Sequence, residues 1–199
     1  MNTKSDEAEF WESRNTGGKM PWDFRGVPRA LISWLKTANS SGRVLIPGCG
    51  SGYEVKAFQD AGWDVVAIDY APAAVARAKA ALGALADKVM LADFFMRDFG
   101  GRKFDLIYER TFLCSLPPER WPAYARRMAD LLAEGGRLAG FFLYGHEEEP
   151  PPYPLTEEAA QALFGENFVR VTDEAVTDSL PVFAGRERWQ VWQKPKNKK

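Results

Sequence analysis

The chain of 199 residues sets 26 Lys and Arg against 27 Asp and Glu, with 46% hydrophobic and 13% aromatic residues. Such a composition can offset the entropy of ordering one core, which excludes wholesale disorder, and a formal net charge of −1 excludes the basic field that recruits nucleic acid or anionic lipid. Cys49 and Cys114 are too few for a disulfide framework and lack the paired spacing of a zinc site, so a cytoplasmic protein is expected.

Residues 1–9 are polar and acidic, and no run approaches the ~18 apolar residues that span a bilayer, so neither export signal nor membrane anchor is expected. Trp11, Trp22 and Phe24 then lie close to glycines, ahead of any strand, and are expected to form a lid over 1–28 that closes on a ligand. The first strand is expected over 43–46, followed by a glycine-rich turn and a helix from Tyr53 to Ala61 that ends at Gly62. A second strand runs from Trp63 to Ile68 and closes on Asp69. The Ala-rich stretch 73–85 then reads as a helix, with Pro72 near its first turn.

A third strand over 88–91 ends at Asp93, and a fourth spans 104–108. Trp121, Tyr124, Met128 and Leu131 recur at helical spacing, predicting a helix over 118–132 stopped by Gly135 and Gly136. Strand five covers 137–143, a Thr156-capped helix runs to Phe164, strand six starts at 168–171, and 186–193 forms a last, antiparallel strand. The three consecutive prolines in HEEEPPPYP, 146–154, predict a loop. Alternating strands and helices predict an α/β fold: a Rossmann-like doubly wound sheet, mostly parallel, with ligands at the carboxyl ends of its strands. One domain over 1–199 is expected, with a basic solvated tail at 194–199.

The segment VLIPGCGSGYEV places Gly48, Gly50 and Gly52 between a strand and a helix, where backbone N–H groups can meet a ligand at the positive helix end. Asp69 follows at the end of the second strand, where a carboxylate can accept both ribose hydroxyls of a nucleoside. The dinucleotide fingerprint needs glycine at the position held by Tyr53, which argues against NAD. S-adenosylmethionine lacks the pyrophosphate and suits this turn better, with S-adenosylhomocysteine as product. Asp93 could bond the adenine amino group and Phe94 or Phe95 cover its face; the alternative is that both aromatics are core.

FWESR, GGKMPWDFRGVP, VLIPGCGSG, FDLIYERTFLCSLPPERW and PPPYPLTEE, in that order, resemble the thiopurine S-methyltransferase superfamily over about Phe10 to Pro154. The likeness is closer to bacterial members and to the plant halide, thiocyanate and thiol methyltransferase branch than to animal enzymes. It implies a seven-stranded, cytosolic, S-adenosylmethionine-dependent enzyme methylating sulfur or another soft nucleophile of a small molecule, with no nucleic-acid or membrane partner; a monomer is expected. The resemblance puts Trp11 and Trp22 over the cofactor, Gly48, Gly50 and Gly52 in its turn, Asp69 with neighbouring Tyr70 at its ribose, Asp93 and Phe94 at its adenine, and Glu109 at its methionine end. It turns Arg110, Thr111 and Phe112 towards the acceptor, with Tyr153 lining the acceptor pocket. Arg110 replaces an aromatic residue of the plant enzymes, which favours an anionic acceptor.

Displacement from a sulfonium asks the protein for alignment and exclusion of water, with no metal. Arg110 could stabilise a thiolate, Glu109 or Asp23 could take a proton from the acceptor or only bind cofactor, and Tyr153 could bond the acceptor or wall its pocket. The lone His146 has no ligand partner at metal-site spacing, and both cysteines read as buried structural thiols. Methylation of oxygen or nitrogen, an NAD(P)-dependent oxidoreductase and a non-catalytic nucleoside-binding protein are the rival readings.

Overall fold

In the computed structural model, which describes residues 8–18, 20–38 and 42–196, the apolar runs become strands and the amphipathic stretches between them become helices. Seven strands, β1 (Arg43–Pro47), β2 (Asp64–Asp69), β3 (Val89–Leu91), β4 (Phe104–Arg110), β5 (Leu132–Leu143), β6 (Val169–Ala175) and β7 (Glu187–Gln193), form a sheet in the order β3-β2-β1-β4-β5-β7-β6. Pairings β1–β2, β2–β3 and β4–β5 are parallel, while β7 runs antiparallel to β5 and β6. This is the mostly parallel, doubly wound sheet with an antiparallel last strand that the sequence predicts. The chain divides into two compact units, Met1–Arg97 and Asp98–Lys199.

The first unit carries α1 (Ala8–Thr16), α2 (Arg29–Thr37), α3 (Tyr53–Asp60) and α4 (Pro72–Leu82) with β1 to β3. Val44 and Leu45 of β1, Val55 and Phe58 of α3, and Ala74 and Ala78 of α4 are almost fully buried, which ties the sheet to its helices by apolar burial. Helix α4 stops three residues before the expected Leu85, because Gly83 takes φ +55 and residues Gly83–Lys88 tighten into a 3-10 helix. Two helices were not foreseen. Helix α1 buries none of its residues, so it leaves no apolar periodicity to detect, whereas α2 buries Leu31 and follows Pro28.

The second unit carries α5 (Trp121–Leu131) and α6 (Glu157–Phe164) with β4 to β7. Gly135 and Gly136 do not stop the preceding helix, as expected from sequence; that helix ends at Leu131 and the glycines lie inside β5. Their place is an irregularity in the ladder, where Phe104 pairs with Leu132 but Leu106 pairs with Arg137. Gly135 takes φ +77 there, and a Cβ on Gly136 would stand 2.8 Å from the Ala133 carbonyl, so a bulge and not a helix end requires them. Strand β7 is buried on both faces, with Trp189, Gln190, Val191 and Trp192 all nearly inaccessible. Its Trp192 stacks at 5.1 Å on Phe164, which also meets Tyr124, Phe142 and Phe168.

The Thr156 hydroxyl accepts the Ala159 N–H at 3.1 Å and caps α6 as predicted. The expected solvated tail is described only to residue 196, and its start is not free: Lys194 Nζ donates to the Ala129 and Leu132 carbonyls. Among the described residues no helix is long and apolar enough to cross a membrane.

Candidate active site

In the first unit the turn after β1 is set by three glycines in left-handed backbone, Gly48 at φ +60, Gly50 at +54 and Gly52 at +74. A Cβ on Gly52 would stand 3.1 Å from Ala78 Cβ and 3.2 Å from Leu82 Cδ1, so this glycine lets the start of α3 approach α4. A Cβ on Gly50 would meet nothing within 4 Å, so the bend leaves open space beside its peptide groups. Asp69 closes the turn from the end of β2: Oδ2 accepts the Gly50 N–H at 2.9 Å and Oδ1 accepts the Ala71 N–H at 3.0 Å. Burial pushes this carboxyl up, and the N–H groups of Ala71, Gly50 and Tyr70, with Arg77, oppose the rise. A carboxylate offers about four lone-pair sites, and with the N–H groups of Gly50, Ala71 and Tyr70 on it one remains for a ribose hydroxyl, so the turn with its acid fits the nucleoside cofactor.

Trp11 and Trp22 meet edge to face at 5.3 Å, both half-buried, and α1 is fastened down by residues that sequence reading passed over. Glu12 Oε2 accepts the Ala73 N–H at 3.0 Å, capping α4 from another helix, since α4 has no side-chain cap of its own. Arg77 Nη2 donates to Asn15 Oδ1 at 2.6 Å and Nε donates to the Ser51 hydroxyl at 3.0 Å; Ser51 in turn donates to Asp23 Oδ2 at 3.3 Å. One chain of bonds thus joins α1, the segment after it, the glycine turn and α4. Asp23 also accepts the Arg25 N–H through Oδ1, so both its oxygens hold structure.

In the region expected to hold the adenine, the two aromatics differ in burial. Phe94 is 4% exposed and meets Phe95 edge to face at 5.2 Å, so it is the core member of the pair. Asp93 is exposed and its Oδ1 accepts the Phe95 N–H at 2.7 Å. Tyr70 is half-buried beside Asp69.

In the second unit β4 ends on Glu109 and Arg110, and Thr111 follows it. Glu109, 1% exposed, is occupied by the protein itself: Oε1 accepts the N–H groups of Phe112 and Leu113, each at 2.9 Å, and Oε2 accepts the Tyr124 hydroxyl at 2.6 Å. Desolvation outweighs these bonds and raises the carboxyl to about 7. These bonds hold the bend at Thr111, a β-branched residue at φ +55, a conformation that persists only where its surroundings enforce it. The Arg110 guanidinium lies 4.7 Å over the Phe141 ring, which meets Trp189 at 5.1 Å.

Tyr153 is brought to this end of the sheet by its N–H, which donates to the Cys114 carbonyl at 2.7 Å. With Leu113, Cys114, Phe141, Phe142, Leu143 and Leu155 it lines a cavity of about 10 Å³, room for about one water-sized group. Burial and the field of neighbouring carboxylates push the Cys114 thiol up, and burial does the same to Cys49, so both are poor nucleophiles. Among the described residues no group of three or more His, Cys, Asp and Glu is placed to hold a metal.

The model of the thiopurine S-methyltransferase family matches residues 6–196. A probable thiol methyltransferase 2 of Arabidopsis thaliana is 35% identical, over 73% of this chain and 67% of its own. Thiocyanate methyltransferase 1 of the same plant is 32% identical, over 92% of this chain and 82% of its own. Among solved structures, a Burkholderia thailandensis 1,6-didemethyltoxoflavin-N1-methyltransferase with bound 1,6-didemethyltoxoflavin and S-adenosylhomocysteine superposes with a TM-score of 0.76 at 19% identity, covering 95% of this chain and 87% of that chain. At that identity the likeness is one of fold.

Proposed function

The chain belongs to the thiopurine S-methyltransferase family, and on that premise we propose that it moves the methyl group of S-adenosylmethionine to the sulfur of a small molecule. The observation that carries this reading is the turn at Gly48, Gly50 and Gly52, open beside Gly50 and held from below by a half-buried carboxylate that can still accept a ribose hydroxyl.

When bound, the cofactor supplies a methyl group already activated on a sulfonium, so the protein's own work is binding, orientation and exclusion of water. Asp69 takes a ribose hydroxyl and the turn takes the amino-acid end. Trp11 and Trp22 close over them as a lid. Asp93 and the neighbouring aromatics take the adenine. Glu109 acts through the backbone: by fixing the N–H groups of Phe112 and Leu113 it positions the bend that carries Arg110. Arg110 and Tyr153 face the acceptor, the first stabilising a thiolate or other anion and the second walling the small cavity. The balanced charge supports a small-molecule acceptor over nucleic acid or membrane, and the two unbridged cysteines suit the cytoplasm, where the chain works as a monomer in this reading.

The test is a screen of purified protein with labelled S-adenosylmethionine against thiols, sulfide, thiocyanate, iodide and thiopurines; labelling of sulfur acceptors is expected, and labelling confined to oxygen or nitrogen compounds would refute the reading. Arg110→Ala should lower kcat/KM for thiocyanate by about tenfold or more, the size of one lost charge-assisted contact, while S-adenosylhomocysteine binding measured by calorimetry changes little.

A further inference from the structure

The two carboxylates that sequence reading offered as proton acceptors are both committed to structure, Glu109 to three protein donors and Asp23 to Ser51 and the Arg25 backbone. A third, which sequence reading passed over, keeps one oxygen uncommitted. Glu187 opens β7 and is 5% exposed, yet its Oε2 is buried without a hydrogen-bond partner. A buried carboxylate oxygen left so is an uncompensated loss of hydration unless something else bonds it.

Its position places it at the acceptor end. Cross-strand partners share a sheet face, as do alternate residues of a strand. Glu187 pairs with Leu143, Phe141 pairs with both Arg110 and Trp189, and Phe141 and Leu143 are two apart on β5. Arg110, Phe141, Leu143, Glu187 and Trp189 therefore lie on one face, and Phe141 and Leu143 line the Tyr153 cavity. The charge of Glu187 is also felt by the Cys114 thiol, another residue of that lining.

We propose that Glu187 is the proton acceptor for a thiol: Oε2 receives the hydrogen bond of the acceptor S–H and takes that proton as sulfur is methylated. The inference rests on the sulfur reading given above. In the balanced step a carbon–sulfur bond forms to the acceptor, the bond from the methyl carbon to the donor sulfonium breaks with its electron pair going to the donor sulfur, and the proton passes to Glu187 and then to water. The groups around Glu187 suit the role. Burial raises its carboxyl and Asp178 adds to the rise, while Arg110 and the nearby Ser179 hydroxyl oppose it. The Ser179 hydroxyl lies beside the carboxyl and favours its charged form, while Oε2 keeps capacity to accept a further hydrogen bond. The Cys114 thiol is the remaining titratable neighbour.

Thiocyanate has no proton to lose, so it is the internal control. In Glu187→Gln the ratio of kcat/KM for an aliphatic thiol to that for thiocyanate should fall about 100-fold at pH 7, the usual worth of a positioned base. The deficit should shrink to about threefold at pH 9.5, above the ~8.5 pKa of a free thiol, because preformed thiolate needs no base. Calorimetry with S-adenosylhomocysteine reports whether the variant keeps its cofactor site. An unchanged ratio, whether both activities fall or neither does, overturns the proposal, as does a deficit that persists at pH 9.5. In the native protein, kcat/KM for the thiol should rise with pH through one ionisation below that of the thiol itself, a limb absent with thiocyanate; the same limb with both acceptors, or with neither, also overturns it. If the native protein binds S-adenosylhomocysteine but methylates neither acceptor, the sulfur reading itself has failed, and this inference with it.

Discussion

Glu109→Ala should lower the unfolding free energy by about 3 kcal/mol, because it strands the Phe112 and Leu113 N–H groups and the Tyr124 hydroxyl at a site that is 1% exposed. Glu109→Gln should cost far less, since its amide oxygen can still accept both N–H groups and its NH2 can donate to Tyr124. The pair also separates a pH effect. Burial lifts the Glu109 carboxyl from 4.5 to about 7 in the folded state. Between those values the folded chain holds a proton that the unfolded chain has lost, so the contribution is complete below about 4.5 and fades as pH rises through about 7. The change across that window is on the order of 3 kcal/mol. Denaturant unfolding of the native protein should show that fall from pH 5 to 8, and Glu109→Gln should remove the greater part of it, leaving what Asp69 and Glu187 contribute. A native profile without the fall, or a Gln variant that keeps it in full, would be incompatible with a buried carboxyl that is protonated at low pH.

Asp69→Ala should weaken S-adenosylhomocysteine binding by about 100-fold, with the protein still folded. Two losses combine: the ribose contacts, and the bonds from Gly50 and Ala71 that hold the turn open to the ligand. Asp69→Asn keeps an oxygen for one of those N–H groups and should fall between the two. Calorimetry on the three proteins decides it; equal affinity in all three would take the ribose away from β2.

The glycine turn and Asp69 were legible because their chemistry is local: left-handed backbone demands glycine, and a short strand places its last side chain predictably. The sheet was legible for the same reason, as apolar runs bounded by glycine and acid. Glu12, Asn15 and Arg77 were not, because their bonds join residues 61 and 62 apart and use ordinary surface residue types. Helix α2 carried a usable signal in Leu31, Trp34 and Leu35 at helical spacing. Glu109 was expected at the cofactor's methionine end or as a proton acceptor, but its partner Tyr124 comes from α5, so sequence could not show that the protein occupies both oxygens. Glu187 sits in a strand recognised only for packing, and the burial that isolates it arises from tertiary structure alone.

The central claim is that an adenosine-bearing sulfonium is held by the turn at Gly48, Gly50 and Gly52 and by Asp69. A crystal structure of the protein with S-adenosylhomocysteine tests it most directly. A ribose hydroxyl within hydrogen-bond distance of the Asp69 carboxylate, and the amino-acid end against the 48–52 turn, are the predicted result; a turn left empty at saturating ligand, or the ligand seated elsewhere, would contradict it.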